Sequence, residues 1–306
     1  MSKISESFTA RLGPLSLRSP LIAASGTVGS VVDFAAVGAL EHYGAAVAKS
    51  VSPVPWEGNP APRLGSSGTG MLNAIGIQNP GIVAWAEEIG PRLASAAVPV
   101  WGSAVGGSPA EFALVGAGLE EVGVAAVEVN LSCPNLEGDT MFALDSVAAA
   151  AAVTAVRQAV DVPVGAKLSP NAEDIVEVAA AVVDAGADWV VLTNTAWGFG
   201  IDIATRRPTL TRGVGGYSGP PLKALAMRCV WQVHQAMPDV PIVGCGGVAT
   251  AEDVVEYLLA GAAAVAIGTA HFAVPRVGAS IHRDLGRYLR RHRTSVRELS
   301  GGGIPW

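Results

Sequence analysis

A chain of 306 residues that is 50% apolar and only 15% charged can build a large core and lies far from the composition of disordered chains. Its formal net charge of −6 argues against nucleic acid as a general partner, and no run of about 18 strongly apolar residues without charge or helix breaker suggests a membrane span. Three cysteines, Cys133, Cys229 and Cys245, cannot close a disulfide framework and fit no zinc or iron–sulfur spacing; with no apolar stretch between Met1 and Ala10, a cytoplasmic setting is expected.

Strand and helix patterns then alternate along the chain. Leu21 to Ser25 reads as a short strand, 31–42 as helix-like, and Ala45 to Ser50 as the next strand. A Gly- and Pro-rich loop is expected from Pro53 to Pro80, long enough to suggest a functional role. Gly81 to Ala94 is helical, Val98 to Val105 a strand, and Ser108 to Val122 a helix with Ser108 as N-cap and Pro109 at its first position. The strand Ala125 to Ser132 precedes a helix from Ser146 to Val160. Val162 to Ser169 is a strand, Ala172 to Ala185 a helix, and Trp189 to Thr195 a strand. A second long loop covers Ala196 to Pro221. Leu222 to Met237 is a helix, Pro241 to Gly247 a strand, Ala251 to Leu259 a helix, Ala263 to Thr269 the last strand and Val277 to Arg291 the closing helix.

Eight strand–helix units without a composition break predict an α/β fold, a (β/α)8 TIM barrel occupying 1–306 as one domain. The competing doubly wound sheet would carry a glycine fingerprint after its first strand, and Ala24-Ser25-Gly26-Thr27-Val28-Gly29 does not supply GxGxxG.

In such a barrel the chemistry lies at the C-terminal ends of the strands. The central example is Val127-Glu128-Val129-Asn130-Leu131-Ser132-Cys133-Pro134-Asn135, an alternating strand stopped by Pro134. It delivers two amides, a hydroxyl and a thiol to one loop, where Cys133 reads equally as a small buried side chain or as a reactive group. The other strand ends bring Ser25, Lys49, Ser50, Lys167, Asn194, Thr195, Gly246, Gly247, Gly268 and Thr269. No carboxylate pair or His/Asp/Glu cluster appears among them, which disfavours glycosidase and metal-hydrolase chemistry. The glycines after the seventh and eighth strands suit a phosphate. Lys49 and Lys167 could neutralise an anionic substrate or a charge developing on a cofactor. The five histidines read as surface or core residues. A Schiff-base aldolase or synthase using Lys167 or Lys49, and a ligand-binding barrel without catalysis, both remain open on these residues.

The ordered set Ala24-Ser25-Gly26-Thr27, Ala48-Lys49-Ser50, Gly70 to Gly81 (GMLNAIGIQNPG), Asn130 to Asn135 (NLSCPN), Lys167-Leu168-Ser169-Pro170, Asn194-Thr195, Ser218-Gly219-Pro220, Gly246-Gly247 and Ile267-Gly268-Thr269 resembles the soluble, class 1 dihydroorotate dehydrogenases over nearly the whole chain. The resemblance implies FMN-dependent oxidation of (S)-dihydroorotate to orotate in pyrimidine synthesis, with Cys133 as general base. It implies substrate contacts from Lys49, Asn73, Ala74, Ile75, Gly76, Ile77, Asn130, Asn135, Asn194 and Thr195. It implies cofactor contacts from Ser25, Lys49, Ser50, Asn130, Lys167, Thr193, Gly219, Gly246, Gly247, Gly268 and Thr269, and no metal. A flat anionic ring of amides and a carboxylate is a natural ligand for asparagines and a lysine. A related flavin barrel acting on another pyrimidine or an enone is the nearest alternative.

The run from Leu72 to Gly81 is most similar to class 1B, whose catalytic subunits pass electrons to NAD through a partner carrying FAD and a 2Fe–2S cluster. A homodimer or heterotetramer, and neither nucleic acid nor membrane, is the expected assembly. The chain departs from the family at Phe142-Ala143-Leu144-Asp145-Ser146, where Ala143 and Leu144 replace a glycine and a threonine in a loop expected to cover the site.

Overall fold

The computed structural model describes residues 6–131 and 141–303. Eight parallel strands close into a barrel in which each strand pairs with the next along the chain and the last pairs with the first. They are β1 (Leu21–Ala23), β2 (Ala45–Val47), β3 (Val100–Ala104), β4 (Ala126–Asn130), β5 (Val164–Lys167), β6 (Trp189–Leu192), β7 (Ile242–Cys245) and β8 (Ala264–Ile267). Around them run α1 (Ile82–Ile89), α2 (Pro109–Glu121), α3 (Ser146–Ala159), α4 (Ile175–Asp184), α5 (Lys223–Ala236), α6 (Ala251–Leu259) and α7 (Val277–His292). Ser108 caps α2 as its sequence implies, its hydroxyl accepting from the Glu111 N–H at 3.3 Å.

Because helices cover the outside and side chains fill the inside, every position of β4 is buried, Glu128 included. Trp101 from β3 and Trp189 from β6 meet inside the barrel with ring centroids 5.0 Å apart. Gly165 on β5 makes room for that packing, since a Cβ there would collide with the Trp189 indole. The opposite, N-terminal end is closed by a hairpin pairing Ala10–Leu12 with Leu15–Leu17, whose Leu12 is fully buried.

Three expected elements differ. The helix expected over 31–42 is two 3-10 turns, Phe34–Ala36 and Leu40–His42. Val31 enters at φ 74° and Gly38 interrupts the run, with the Phe34 ring lying where a Cβ at 38 would stand. The two long loops are not structureless either. They assemble one antiparallel sheet in the order Ala196–Phe199, Val214–Ser218, Gly70–Asn73, Leu64–Ser67. Gly68-Thr69 forms the two-residue hairpin between its last two strands, with Gly68 at φ 59° as a tight primed turn requires. Asn171, in the loop after β5, ties the sheet to the barrel by accepting from the Trp197 N–H at 3.0 Å.

Candidate active site

The C-terminal mouth contains a continuous chain of polar side chains. Asn130, last residue of β4, donates through Nδ2 to Ser50 Oγ at 3.0 Å, and Ser50 Oγ lies 2.9 Å from Ser103 Oγ on β3. On its other side Asn130 Oδ1 accepts from Asn194 Nδ2 at 3.2 Å. Asn194 Oδ1 in turn accepts from the Thr195 N–H at 2.8 Å, so both amides are oriented by defined partners. The Thr193 N–H bonds the Cys245 carbonyl and the Asn194 N–H the Leu168 carbonyl, which fixes this turn to β7 and to the end of β5. Thr195 Oγ1 packs against Gly216 at the point a Cβ would occupy, and Asn73 Nδ2 donates to the Gly216 carbonyl at 3.2 Å. The cap sheet thereby brings Asn73 to Thr195 from more than a hundred residues away.

Asn79 fastens the first long loop beneath this cluster. Its Oδ1 accepts from the N–H groups of Ser52 and Gly81 at 3.0 and 2.9 Å, and its Nδ2 donates to Ser52 Oγ and the Ile77 carbonyl at 2.8 and 2.7 Å. Ala74, Ile75 and Gly76 are held within their own loop, through hydrogen bonds to Arg63 and Asn59 and the packing of Gly76 on Asn59. None of these contacts joins them to the Asn130–Asn194 chain. Lys49, two residues past β2, is half-buried with its N–H on the Gly29 carbonyl at 2.8 Å, and Ser25 Oγ donates to the Ala48 carbonyl at 2.7 Å.

Lys167 ends β5 in register with Asn130 and points into the barrel. Its Nζ lies 3.8 Å from Glu128 Oε1, with side-chain exposures of 7% and 3%. Burial pushes the Glu128 carboxyl up, against the downward pull of Lys167. On β7, burial likewise pushes the Cys245 thiol up.

The remaining strand ends present backbone instead of side chains. Gly246 (φ 143°) and Gly247 (φ 69°) turn the chain where it packs on the start of α5, and Gly219 (φ 90°) turns it against Thr69, Gly70 and Thr269. Tyr257 OH donates to the Gly246 carbonyl at 2.7 Å and holds that turn from below. Gly268 has room for a Cβ, which would rest in ordinary packing contact with Ala24 Cβ and Thr27 Cγ2 at 3.7 and 3.8 Å. Thr269 stands beside Gly219 and begins the short turn of helix Ala270–Ala273. Beneath it His271 is fully buried, with Nδ1 3.0 Å from Thr27 Oγ1 and Nε2 2.7 Å from Tyr43 OH. Thr27 spends its proton on the Ala24 carbonyl, so His271 carries hydrogen on Nδ1 and accepts from the tyrosine at Nε2. Burial lowers its pKa to about 4, keeping the ring neutral.

A bound flavin phosphate would need close backbone approach, and its ring a cation and amide partners. The bare backbone at Gly268, the turns at Gly219 and Gly246-Gly247, and Lys167 beside Asn130 fit that group. Cys133 and Asn135 lie outside the described residues. The divergent run Phe142–Leu144 is a 3-10 turn packed into the core: Ala143 is fully buried, its N–H bonds the Leu131 carbonyl at 2.9 Å, and Asp145 caps α3. Ser103, Asn79 and Glu128 join this cluster without appearing among the site residues expected from the sequence. Glu128 had a signal, since the period of two places it on the same inward face as Asn130.

Comparison with known proteins gives this mouth its context. The profile of the family described as dihydroorotate dehydrogenase matches residues 9–289. The chain belongs to the dihydroorotate dehydrogenase family. It is 44% identical over 296 residues to the dihydroorotate dehydrogenase B (NAD(+)) catalytic subunit of Pelobacter propionicus, covering 96% of this chain and 97% of that one. Its identity to the protein of the same description from Desulforudis audaxviator is 45% over 288 residues, or 94% and 93% of the two chains. Among solved structures, a DHODH from Eimeria tenella in complex with ferulenol superposes with a TM-score of 0.81 at 19% identity, over 98% of this chain and 89% of that chain, a likeness of fold. No helix among the described residues is long and apolar enough to cross a membrane.

Proposed function

We propose that this dihydroorotate dehydrogenase family member oxidises (S)-dihydroorotate to orotate in de novo pyrimidine biosynthesis, with 1–306 acting as one FMN-binding domain. The observation that carries the reading is the oriented amide pair Asn130–Asn194, standing beside Lys167 at a mouth whose other side is lined by glycine. FMN, when bound, supplies the acceptor for the hydride that leaves the substrate ring. Ser25, Lys49, Ser50, Asn130, Lys167 and Thr193 would meet its ring side, and Gly219, Gly246, Gly247, Gly268 and Thr269 its phosphate.

The chain's own residues divide the remaining work. Asn73, Asn130, Asn135, Asn194 and Thr195 present donors and acceptors to the ring amides, and Lys49 a cation to the carboxylate. Ala74, Ile75, Gly76 and Ile77 line the approach and exclude water. Cys133 takes the proton from the ring carbon next to the one that gives up hydride. A free thiol titrates at about 8.5, so it needs neighbouring positive charge to be basic at neutral pH; Lys49 and Lys167 are the candidate sources.

The relatives are described as catalytic subunits, which supports a second subunit, carrying FAD and a 2Fe–2S cluster, that relays electrons to NAD. The setting is the cytoplasm and the assembly a homodimer or heterotetramer.

Anaerobic stopped-flow bleaching of bound flavin by dihydroorotate tests the reading. Cys133→Ala should still bind FMN and orotate while flavin reduction falls by about two to four orders of magnitude. Cys133→Ser should be slow at neutral pH and speed up as pH rises. Reduction by the alanine variant at the parental rate would assign the proton to another group.

A further inference from the structure

Glu128 is a carboxylate sealed inside the barrel, and among the described residues its Oε1 has no hydrogen-bond partner. The strand register pairs Asn130 with Lys167 and Glu128 with Gly165, so the carboxylate starts one inward-facing layer below the lysine. Gly165 offers no side chain beside it, and the Trp101–Trp189 pair fills the barrel interior. The lysine side chain must therefore turn back into the barrel for its Nζ to come within 3.8 Å of Glu128 Oε1. Cys245, on β7, lies within the electrostatic reach of both charges. Sealing a carboxylate and an ammonium in such a place costs several kcal/mol per ion, and apolar residues of similar size would pack there as well or better. Packing alone does not account for the pair.

We propose that Glu128 is a positioning residue for Lys167. It draws the ammonium inward to the floor of the mouth and, as its counter-charge, limits how much of the lysine's field reaches a flavin bound above. The proposal rests on the flavin reading given under Proposed function. Its effect is on the redox equilibrium: an uncompensated lysine favours the two-electron reduced form, which carries the added negative charge.

Two measurements on the same variants test this. In flavin-loaded protein, Glu128→Gln keeps the shape and removes the charge. It should shift the two-electron reduction equilibrium at least tenfold toward the reduced form, ~30 mV in midpoint potential, while Lys167→Met shifts it the other way. In flavin-free protein, Lys167→Met should lower the melting temperature by stranding a buried carboxyl, and adding Glu128→Gln should recover part of that loss. A Glu128→Gln potential equal to that of the parent overturns the proposal, as does a double variant whose loss is the sum of the two singles. Should Glu128→Gln alone fail to fold, the comparison of Lys167→Met with the double variant still decides. A parent protein that takes up no flavin sinks the flavin reading instead, and the stability comparison then decides the positioning role by itself.

Discussion

The two halves of the barrel mouth recognise by opposite means. From β2 to β6 the strand ends carry side chains, and Ser50, Ser103, Asn130, Asn194, Thr195 and Asn73 are joined atom to atom through hydrogen bonds and the Gly216 contact. After β7 and β8 the chain turns on Gly246-Gly247 and Gly268, whose backbone is braced by Tyr257 and by the Thr27–His271–Tyr43 chain. A planar ring with amide edges needs donors and acceptors in fixed directions, whereas a phosphate needs unobstructed N–H groups. On the proposed function, the contrast makes substrate selection and cofactor retention separable on this scaffold.

Substitution can break that separation, and the glycine side should respond most. At Gly247 a Cβ would meet the Lys223 backbone N at 2.8 Å and require φ 69°, so flavin loss there would be mixed with strain. Gly268 has no such conflict, which makes Gly268→Leu the cleaner variant. It should keep the parental melting temperature and bind FMN on the order of a hundredfold more weakly, about 2.7 kcal/mol, by fluorescence titration. Unaltered FMN affinity would place the phosphate elsewhere.

The amide side should show the reverse pattern. Asn194→Ala removes the Asn194 Nδ2 donor to Asn130 Oδ1, and losing an oriented hydrogen bond to a buried partner costs about 1–3 kcal/mol. Flavin occupancy, read from the visible spectrum, should stay full while kcat/KM for dihydroorotate falls by about ten- to a hundredfold. Loss of flavin from this variant would merge the two halves.

The smallest effect sharpens the comparison through pH. Amides do not titrate near neutrality, but the imidazole of the unfolded chain does, and in the folded protein burial lowers the His271 pKa from the ordinary 6.5 to about 4. The unfolded chain therefore binds the proton first as pH falls. The His271 contribution is complete above pH 6.5 and is lost progressively toward pH 4. Between pH 6.5 and 5.5 it should amount to about 1 kcal/mol, read by urea denaturation at each pH. Half-buried His282, whose pKa burial also lowers, acts with the same sign, so the diagnostic is the flatter profile of His271→Gln. A parallel profile would mean that the ring is protonated in place.

Much of this architecture is legible in the sequence because barrel strands are short apolar runs between helices with strong caps. The α6 bounds, with Thr250 and Asp253 forming a capping box, coincide with the periodicity. The motif residues Asn130, Lys167, Asn194 and Gly268 fall at the strand ends where the fold places chemistry. What escaped is what depends on distant partners. The cap sheet pairs Met71 with Ser218, and nothing local to either loop states that pairing. Glu128 read as the polar phase of an alternating strand, and only closure of the barrel shows that phase to be interior. Ser103 is one hydroxyl in a buried run until Ser50 meets it.

The seam between β8 and β1 imposes an order on assembly. Ile267 pairs with Ala23 and Val265 with Leu21, and His271 reaches Thr27 across 244 positions of sequence. A ribosome must deliver nearly the whole chain before that seam can zip, and contacts so far apart in sequence are slow to form. The strands bearing Asn130 and Asn194 emerge earlier and can pair among themselves. The glycine side of the mouth exists only once the ends have met. Uptake of the coloured cofactor would then mark a finished molecule, and its rate in a refolding experiment would report the closing of the ring.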